Sequence, residues 1–283
     1  MWSLSRRFPQ KRAFVTGAAS GLGEALCLAL AQDGWTLFMA DLREDALTVA
    51  ASGVARAGGK PTVVVLDVTD RAAYAAAVAR VDAQGGLDVL INNAGVAVGG
   101  RLEEMDLQDW DWLYSVNVTG VVNGCHAFIP VLRRGGGGHI INVASAAALV
   151  PVPHMAAYCS AKAAVKSLSE VLHTELHGSG ITVSVVMPEF FRTALGDRTR
   201  GPDAGLARHL LGRARFTAAD VARKVLRKAG AGALHIVFPG YVRLAWWWLR
   251  AFPKAGLSGV RLAQQWTSSR YRKHLEGNPQ PPS

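Results

Sequence analysis

Apolar positions along the 283-residue chain switch repeatedly between two spacings. Short apolar runs at residues 13–16, 36–40, 62–66, 87–91, 140–143, 181–187 and 234–238 each predict a strand. Between them apolar residues return every three or four positions. Leu22, Ala25, Leu26, Ala29 and Leu30 form such a stripe within a helix predicted over residues 21–33. A second, Ala-rich helix is predicted from Glu44 to about Ala57, and Asp70 reads as the N-cap of a third that runs to Gln84. The unbroken run Val63, Val64, Val65, Leu66 predicts a strand covered on both faces. Alternation of this kind predicts an α/β chain: a doubly wound parallel sheet of about seven strands, helices on both faces and right-handed crossovers. No internal repeat or long linker breaks it, and residues 277–283 read as a disordered tail.

Composition narrows the class. Half of the residues are hydrophobic and 18% are charged, which excludes a disordered chain or a collagen-like fibre. Three separated cysteines, Cys27, Cys125 and Cys159, fit a reducing compartment and give no clustered metal ligands. The first residues carry Arg6 and Arg7 with no apolar run behind them, so a cytoplasmic location is expected. Residues 140–161 lack charge, but Pro151, Pro153 and many polar side chains predict a buried strand and loop rather than a span.

Charge divides the chain. Residues 1–191 hold 14 Lys and Arg against 17 Asp and Glu, whereas residues 192–283 hold 17 against 4. The basic part either faces solvent or meets an anionic surface. Trp246, Trp247 and Trp248 lie between Arg243, Arg250 and Lys254, and Trp266 precedes Arg270, Arg272 and Lys273. Tryptophan beside cations is the composition of an interfacial helix, so peripheral membrane contact is expected of residues 239–283. The charge brings no nucleic-acid motif with it, and no nucleic acid is expected as a partner.

Two local patterns carry chemistry. Gly17, Gly21 and Gly23 sit in Thr-Gly-Ala-Ala-Ser-Gly-Leu-Gly between the first strand and the first helix. Glycines there let the backbone approach a pyrophosphate that the helix N-terminus then holds. Asp41 ends the second strand 18 residues after Gly23, where a carboxylate accepts both ribose hydroxyls of NAD and repels a 2′-phosphate. Arg43 offsets that charge in part, which keeps NADP open beside NAD. Further on, Tyr158 and Lys162 stand one helical turn apart in a helix predicted to run to about His177. A cation there lowers a phenol pKa and makes a general acid or base. Ser145 follows the strand 140–143, where its hydroxyl can hold the same substrate oxygen.

In these residues the chain strongly resembles the short-chain dehydrogenase/reductase family, over about residues 11–238. The resemblance implies a Rossmann-type catalytic domain over residues 1–238, with 239–283 a basic, Trp-rich helical extension. It implies a catalytic set of Asn117, Ser145, Tyr158 and Lys162. Tyr158 moves the proton, Lys162 binds the nicotinamide ribose and depresses the Tyr158 pKa, Ser145 orients substrate, and Asn117 holds a relay water. It implies cofactor contacts from Gly17, Ser20, Gly21, Leu22, Gly23, Asp41, Asp67, Val68, Asn93, Ala94, Gly95, Tyr158, Lys162 and Thr193. Glu189 stands where the family has glycine, which puts a charge near the nicotinamide. Substrate walls are expected from Phe190, Phe191, Leu195, Leu206, Leu210 and Leu211 on one side and Val150, Val152 and Met155 on the other. Apolar walls imply a steroid, retinoid or long-chain alcohol or ketone. A homodimer or homotetramer through helices around Asn117 and residues 158–177 is also implied. The alternative is a non-catalytic dinucleotide sensor or scaffold on the same fold.

Overall fold

The computed structural model describes residues 3–193, 195–212 and 214–277; of the tail expected over 277–283, Gly277 ends a helix and the rest lies outside the described residues. Seven strands form one parallel sheet: β1 (Arg12–Thr16), β2 (Thr36–Asp41), β3 (Lys60–Val65), β4 (Val89–Asn92), β5 (Gly138–Val143), β6 (Ile181–Pro188) and β7 (His235–Phe238). Their order is β3-β2-β1-β4-β5-β6-β7, so the order reverses between β1 and β4 and opens a crevice at the carboxyl ends. In chain order the helices are α1 (Ser3–Arg7), α2 (Gly21–Ala31), α3 (Glu44–Arg56), α4 (Arg71–Ala83), α5 (Leu107–Tyr114), α6 (Gly120–Arg134), α7 (Ala156–Glu175), α8 (Ala204–Gly212), α9 (Ala218–Gly230), α10 (Tyr241–Ala251) and α11 (Pro253–Gly277).

Two apolar layers sandwich the sheet. Phe14, Leu90, Phe128 and Ile140 pack on one side with α4 and α6. Val15, Met39, Ile91 and Ile141 pack on the other with α2, α3 and α9. The caps follow the sequence: Asp70 accepts from the N–H groups of Ala72 and Ala73, and Thr217 and Asp220 form a capping box on α9. A polar ladder crosses the core, where Asn92 Nδ2 donates to Asn142 Oδ1 at 2.9 Å and Asn142 Nδ2 donates to Ser169 Oγ at 3.0 Å.

Two expectations change here. β3 is an edge strand, and Val65 is 51% exposed, so its apolar run is not covered on both faces. The helix expected over 21–33 ends at Ala31, because the chain turns through Gly34 with φ of 76° into β2. The uncharged stretch 140–161 forms β5, a loop and the start of α7, as expected. By length and composition the helical run Leu107–Arg134 is apolar enough to cross a membrane, yet half of its most apolar stretch is buried inside the fold.

Candidate active site

The crevice is a cleft of about 620 Å³ that reaches from Asp41 and Arg43 past Gly17 and Asn93 to Ser145, Tyr158 and Phe190. Its floor at the β1–α2 turn leaves no room for side chains. Gly17 has φ of 65°, and a Cβ there would stand 2.9 Å from both Ala94 Cα and Asn93 Nδ2. A Cβ on Gly23 would overlap the Gly17 carbonyl oxygen, and one on Gly21 would meet Thr193 Oγ1 at 2.7 Å. The turn is tied to β4: Asn93 Nδ2 donates to Thr16 O at 2.9 Å, and Thr16 Oγ1 accepts from the N–H groups of Asn93 and Ala94 at 3.0 Å. Thr16 stands in the glycine motif but was not among the expected contacts; only the fold reveals that its hydroxyl joins the two loops. Ser20 precedes α2 with no side-chain bond to its first turn, so the leading N–H groups of the helix stay open to the cleft.

Asp41 accepts from Ala19 N–H at 3.2 Å, and its other oxygen lies 3.4 Å from Arg43 Nε. The Arg43 guanidinium also donates to Ser20 Oγ at 3.5 Å. Carboxylate and cation therefore share one rim of the cleft. Asp67 accepts from the Thr69 N–H and hydroxyl at 2.8 Å, which fixes the loop that offers Val68 and Leu66 to the cleft. Leu22, Ala94, Gly95 and Thr193 complete this side. A glycine cradle that excludes Cβ atoms, an open helix N-terminus and an acid at the end of β2 fit a nicotinamide dinucleotide.

The four expected catalytic residues meet at the carboxyl edge of β4, β5 and β6. Asn117 is fully buried in a π-helical turn, Ser115–Thr119, that links α5 to α6. Its Oδ1 accepts from Val96 N–H at 2.8 Å and its Nδ2 donates to Val96 O at 2.9 Å. A Cβ on Gly95 would stand 3.1 Å from Asn117 Oδ1 and 3.4 Å from Lys162 Nζ, so both side chains converge on one glycine. Lys162 Nζ donates to Val143 O at 3.1 Å and lies 5.7 Å from the Tyr158 ring centroid. Ser145 Oγ lies 3.5 Å from Pro188 O and accepts from Ala147 N–H at 3.2 Å.

Electrostatics here correct one expectation. Burial pushes the Tyr158 phenol up to about 12; a hydrogen bond with Ser145 opposes that rise, and Cys159 adds to it. Burial also pushes Lys162 down to about 8. Desolvation thus outweighs the expected depression of Tyr158 by Lys162, and Ser145 is the neighbour that holds the phenol down.

The substrate side is built by residues far apart in sequence. Val152, Met155, Phe190, Leu195 and Leu206 line an apolar recess beside Tyr158, joined by Gln264 from α11. Phe191 lines the main cleft. Val150 instead packs against the core, because the three-residue helical turn Ala146–Ala148 ahead of it faces inward. The side chains of Leu210 and Leu211 lie outside the described residues. Sequence reasoning missed Arg200, whose guanidinium lies 3.7 Å from the Trp112 ring centroid and 3.2 Å from Asp109 Oδ1. It also missed the His154–Asp203 pair, at 2.7 Å. Glu189 lines the cleft and accepts a hydrogen bond from the Tyr241 hydroxyl at the start of α10.

Sheet order, glycine cradle and the Tyr–Lys constellation together define a Rossmann-type dinucleotide-binding protein. The family model for short chain dehydrogenase matches residues 11–203, and the chain belongs to that family. "Probable oxidoreductase EphD" of Mycobacterium tuberculosis is 40% identical over 176 residues, 62% of this chain, and the chain spans only 30% of that relative's length. D-threitol dehydrogenase of Mycolicibacterium smegmatis is 36% identical over 76% of this chain and 83% of its own. A Burkholderia phymatum short chain dehydrogenase/reductase in complex with NAD superposes with a TM-score of 0.78 at 33% identity, over 85% of this chain and 94% of that one. One from Sphingobium yanoikuyae in complex with NADPH gives 0.75 at 27% identity, over 87% and 95%.

Proposed function

We propose that the protein is an NAD-dependent oxidoreductase acting on a secondary alcohol or ketone with an apolar body. The observation that carries this reading is the convergence of Asn117 and Lys162 on Gly95, in a cleft that Ser145, Tyr158 and Lys162 line together, beside a cradle that fits a dinucleotide. A bound nicotinamide dinucleotide supplies the hydride half of the reaction. Tyr158 holds or releases the proton at the substrate oxygen, and Ser145, which lines the cleft beside Tyr158, orients that oxygen through its hydroxyl. Lys162, buried and anchored on Val143 O, meets the cofactor ribose and brings positive charge to the phenolate. Asn117 fixes the loop after β4 through Val96 and holds the relay water. Gly17, Ser20, Gly21, Leu22 and Gly23 take the pyrophosphate, Asp67, Val68, Asn93, Ala94 and Gly95 the adenine and ribose side, and Thr193 the carboxamide.

NAD is favoured because the Asp41 carboxylate faces the cleft rim while Arg43 is already paired with it. The recess of Val152, Met155, Phe190 and Leu195 supports an apolar substrate over a polyol such as the mycobacterial relative's name specifies. Residues 1–238 form the catalytic unit, which pairs into a dimer or tetramer through α6 and α7. Three unpaired cysteines support a cytoplasmic location, with peripheral membrane contact through residues 239–283.

Initial rates with NAD and NADP on steroid, retinoid, long-chain and sugar alcohols test this reading. Turnover of the apolar members with NAD is the expected result. Preferential turnover of sugars, or of any substrate with NADP, overturns the corresponding part.

A further inference from the structure

Helices α10 and α11 have two unlike faces. The inner face is committed: Val242 is buried, Trp246 packs on the core, Gly256 lies against Leu249, and Gln264 lines the substrate recess. The outer face is apolar and exposed to solvent. Leu244 is 71% exposed, Trp247 65%, and Leu262 and Trp266 both 61%. Trp248, Phe252 and Leu257 are also exposed. Among the described residues, more than half of the large apolar side chains left exposed fall within this short stretch. A concentration of exposed apolar side chains of this kind marks an interaction site.

Charge identifies the occupant. Arg243, Arg250, Lys254 and Arg261 are exposed beside these rings. Residues 239–277 carry seven Lys and Arg against the single acid Glu276. Around α10 the positions follow helical geometry, with Leu244, Trp247, Trp248 and Ala251 opposite the packed Val242, Trp246 and Leu249, and with Arg243 and Arg250 along one flank. A face of Trp and Leu edged by arginines suits the headgroup layer, where indoles sit at interfacial depth and cations meet phosphate. A protein partner of matching chemistry needs an acidic rim, and the same face of a second copy presents the same positive charge. Neither α10, with 11 residues, nor α11, interrupted by its cations, offers the roughly 20 apolar residues of a span.

We propose that the outer face of α10 and α11 docks on an anionic lipid surface, with the Trp247 and Trp248 rings in the headgroup layer and Arg243 and Arg250 against lipid phosphates. This deepens, and rests on, the peripheral membrane contact proposed above. Because Gln264 on the same helix pair lines the substrate recess, the docked enzyme holds that recess close to the lipid.

The test is co-sedimentation of the full chain with vesicles of phosphatidylcholine alone and with added phosphatidylglycerol, from low to high salt. Binding to the anionic vesicles that falls as salt rises is expected. Each cation near such a surface strengthens binding roughly fivefold, so Arg243→Gln/Arg250→Gln weakens it by about tenfold or more and flattens the salt dependence. Trp247→Ser/Trp248→Ser removes most binding, with the thermal midpoint and turnover of a soluble substrate unchanged. Equal binding to both vesicle types overturns the anionic selectivity while membrane contact stands. No binding to either overturns both. Self-association abolished by the tryptophan variant, with no vesicle binding, assigns the face to a second copy and overturns the proposal. The vesicle-binding readouts need no cofactor, so the oxidoreductase reading is tested separately.

Discussion

Thr16, Gly17, Gly23 and Asn93 hold one side of the cleft through bonds and close contacts to main-chain atoms of the turn and the next loop, whereas Arg200, Asp203 and Gln264 close the other with side chains from segments far from the turn. The first side is local: a strand end, a turn and a helix start, bound to the neighbouring strand. Its shape leaves so little freedom that a single Cβ disturbs it. The second side is assembled from exposed ion pairs and packed rings, each replaceable at modest cost. A shared dinucleotide needs a fixed cradle, and a variable substrate needs a wall that substitutions can reshape.

The sharpest test of the division lies at the residue where the two sides meet. Tyr158→Phe removes the oxygen proposed to carry the proton and keeps the ring in its packed place, so kcat is expected to fall by about 10²- to 10⁴-fold. Cofactor binding, read by fluorescence titration, stays within a few-fold. Loss of binding in step with kcat would instead make Tyr158 part of the cradle.

Gly23→Ala strikes the cradle alone. Its Cβ overlaps the Gly17 carbonyl oxygen, so the turn must shift at a cost of about 1–3 kcal/mol. Dinucleotide affinity is expected to fall at least tenfold, with the thermal midpoint lowered. An alanine variant that binds normally would show that the cradle is more plastic than its contacts indicate.

Lys162 gives the comparison a pH axis. Its folded pKa of about 8 lies below the unfolded value of 10.5, so between those values the unfolded chain binds more protons and stability rises with pH. Tyr158 and the buried Cys125 oppose this at higher pH: their folded pKa values are raised to about 12, and the stability they contribute is lost as pH climbs past their unfolded values. The difference between wild type and Lys162→Met isolates the lysine. Denaturant unfolding should show the wild type gaining on the variant from pH 8 upward, by at most about 3 kcal/mol. A difference flat in pH would mean that Lys162 is not desolvated in the unliganded fold.

Legibility in sequence followed the same division. The seven strands, Asp70 as a cap and the glycine turn were readable because each depends on neighbours within a few residues. Asn117, Ser145, Tyr158 and Lys162 stand out as a set through family spacing; the fold sets Asn117 and Lys162 against Gly95 and lines the cleft with Ser145, Tyr158 and Lys162. What escaped depends on distance or environment. Edge position, not composition, decides that Val65 is exposed. Burial decides that the Tyr158 phenol rises. Gln264 reaches the recess across more than a hundred residues of chain from Tyr158, and no local pattern announces that contact.

Arg200→Ala is expected to have the smallest effect and is the finest probe of the substrate wall. Its guanidinium stacks on Trp112 and pairs with Asp109, while its side chain remains 53% exposed. A solvated ion pair contributes about 0.2–1 kcal/mol and an exposed cation–π contact about 0.5–1 kcal/mol, so neither dominates. Together they pin the segment before α8 against α5, at the rim of the same cleft that holds Tyr158. Releasing that segment loosens the wall without touching the proton path, so KM should rise about threefold to tenfold with kcat nearly unchanged. Because the contact is partly electrostatic, the wild-type advantage should shrink in high salt while the residual ring stacking persists. A fall in kcat of the size expected for Tyr158→Phe would show that closing the wall is coupled to the chemistry, and the two sides of the cleft would then act as one unit.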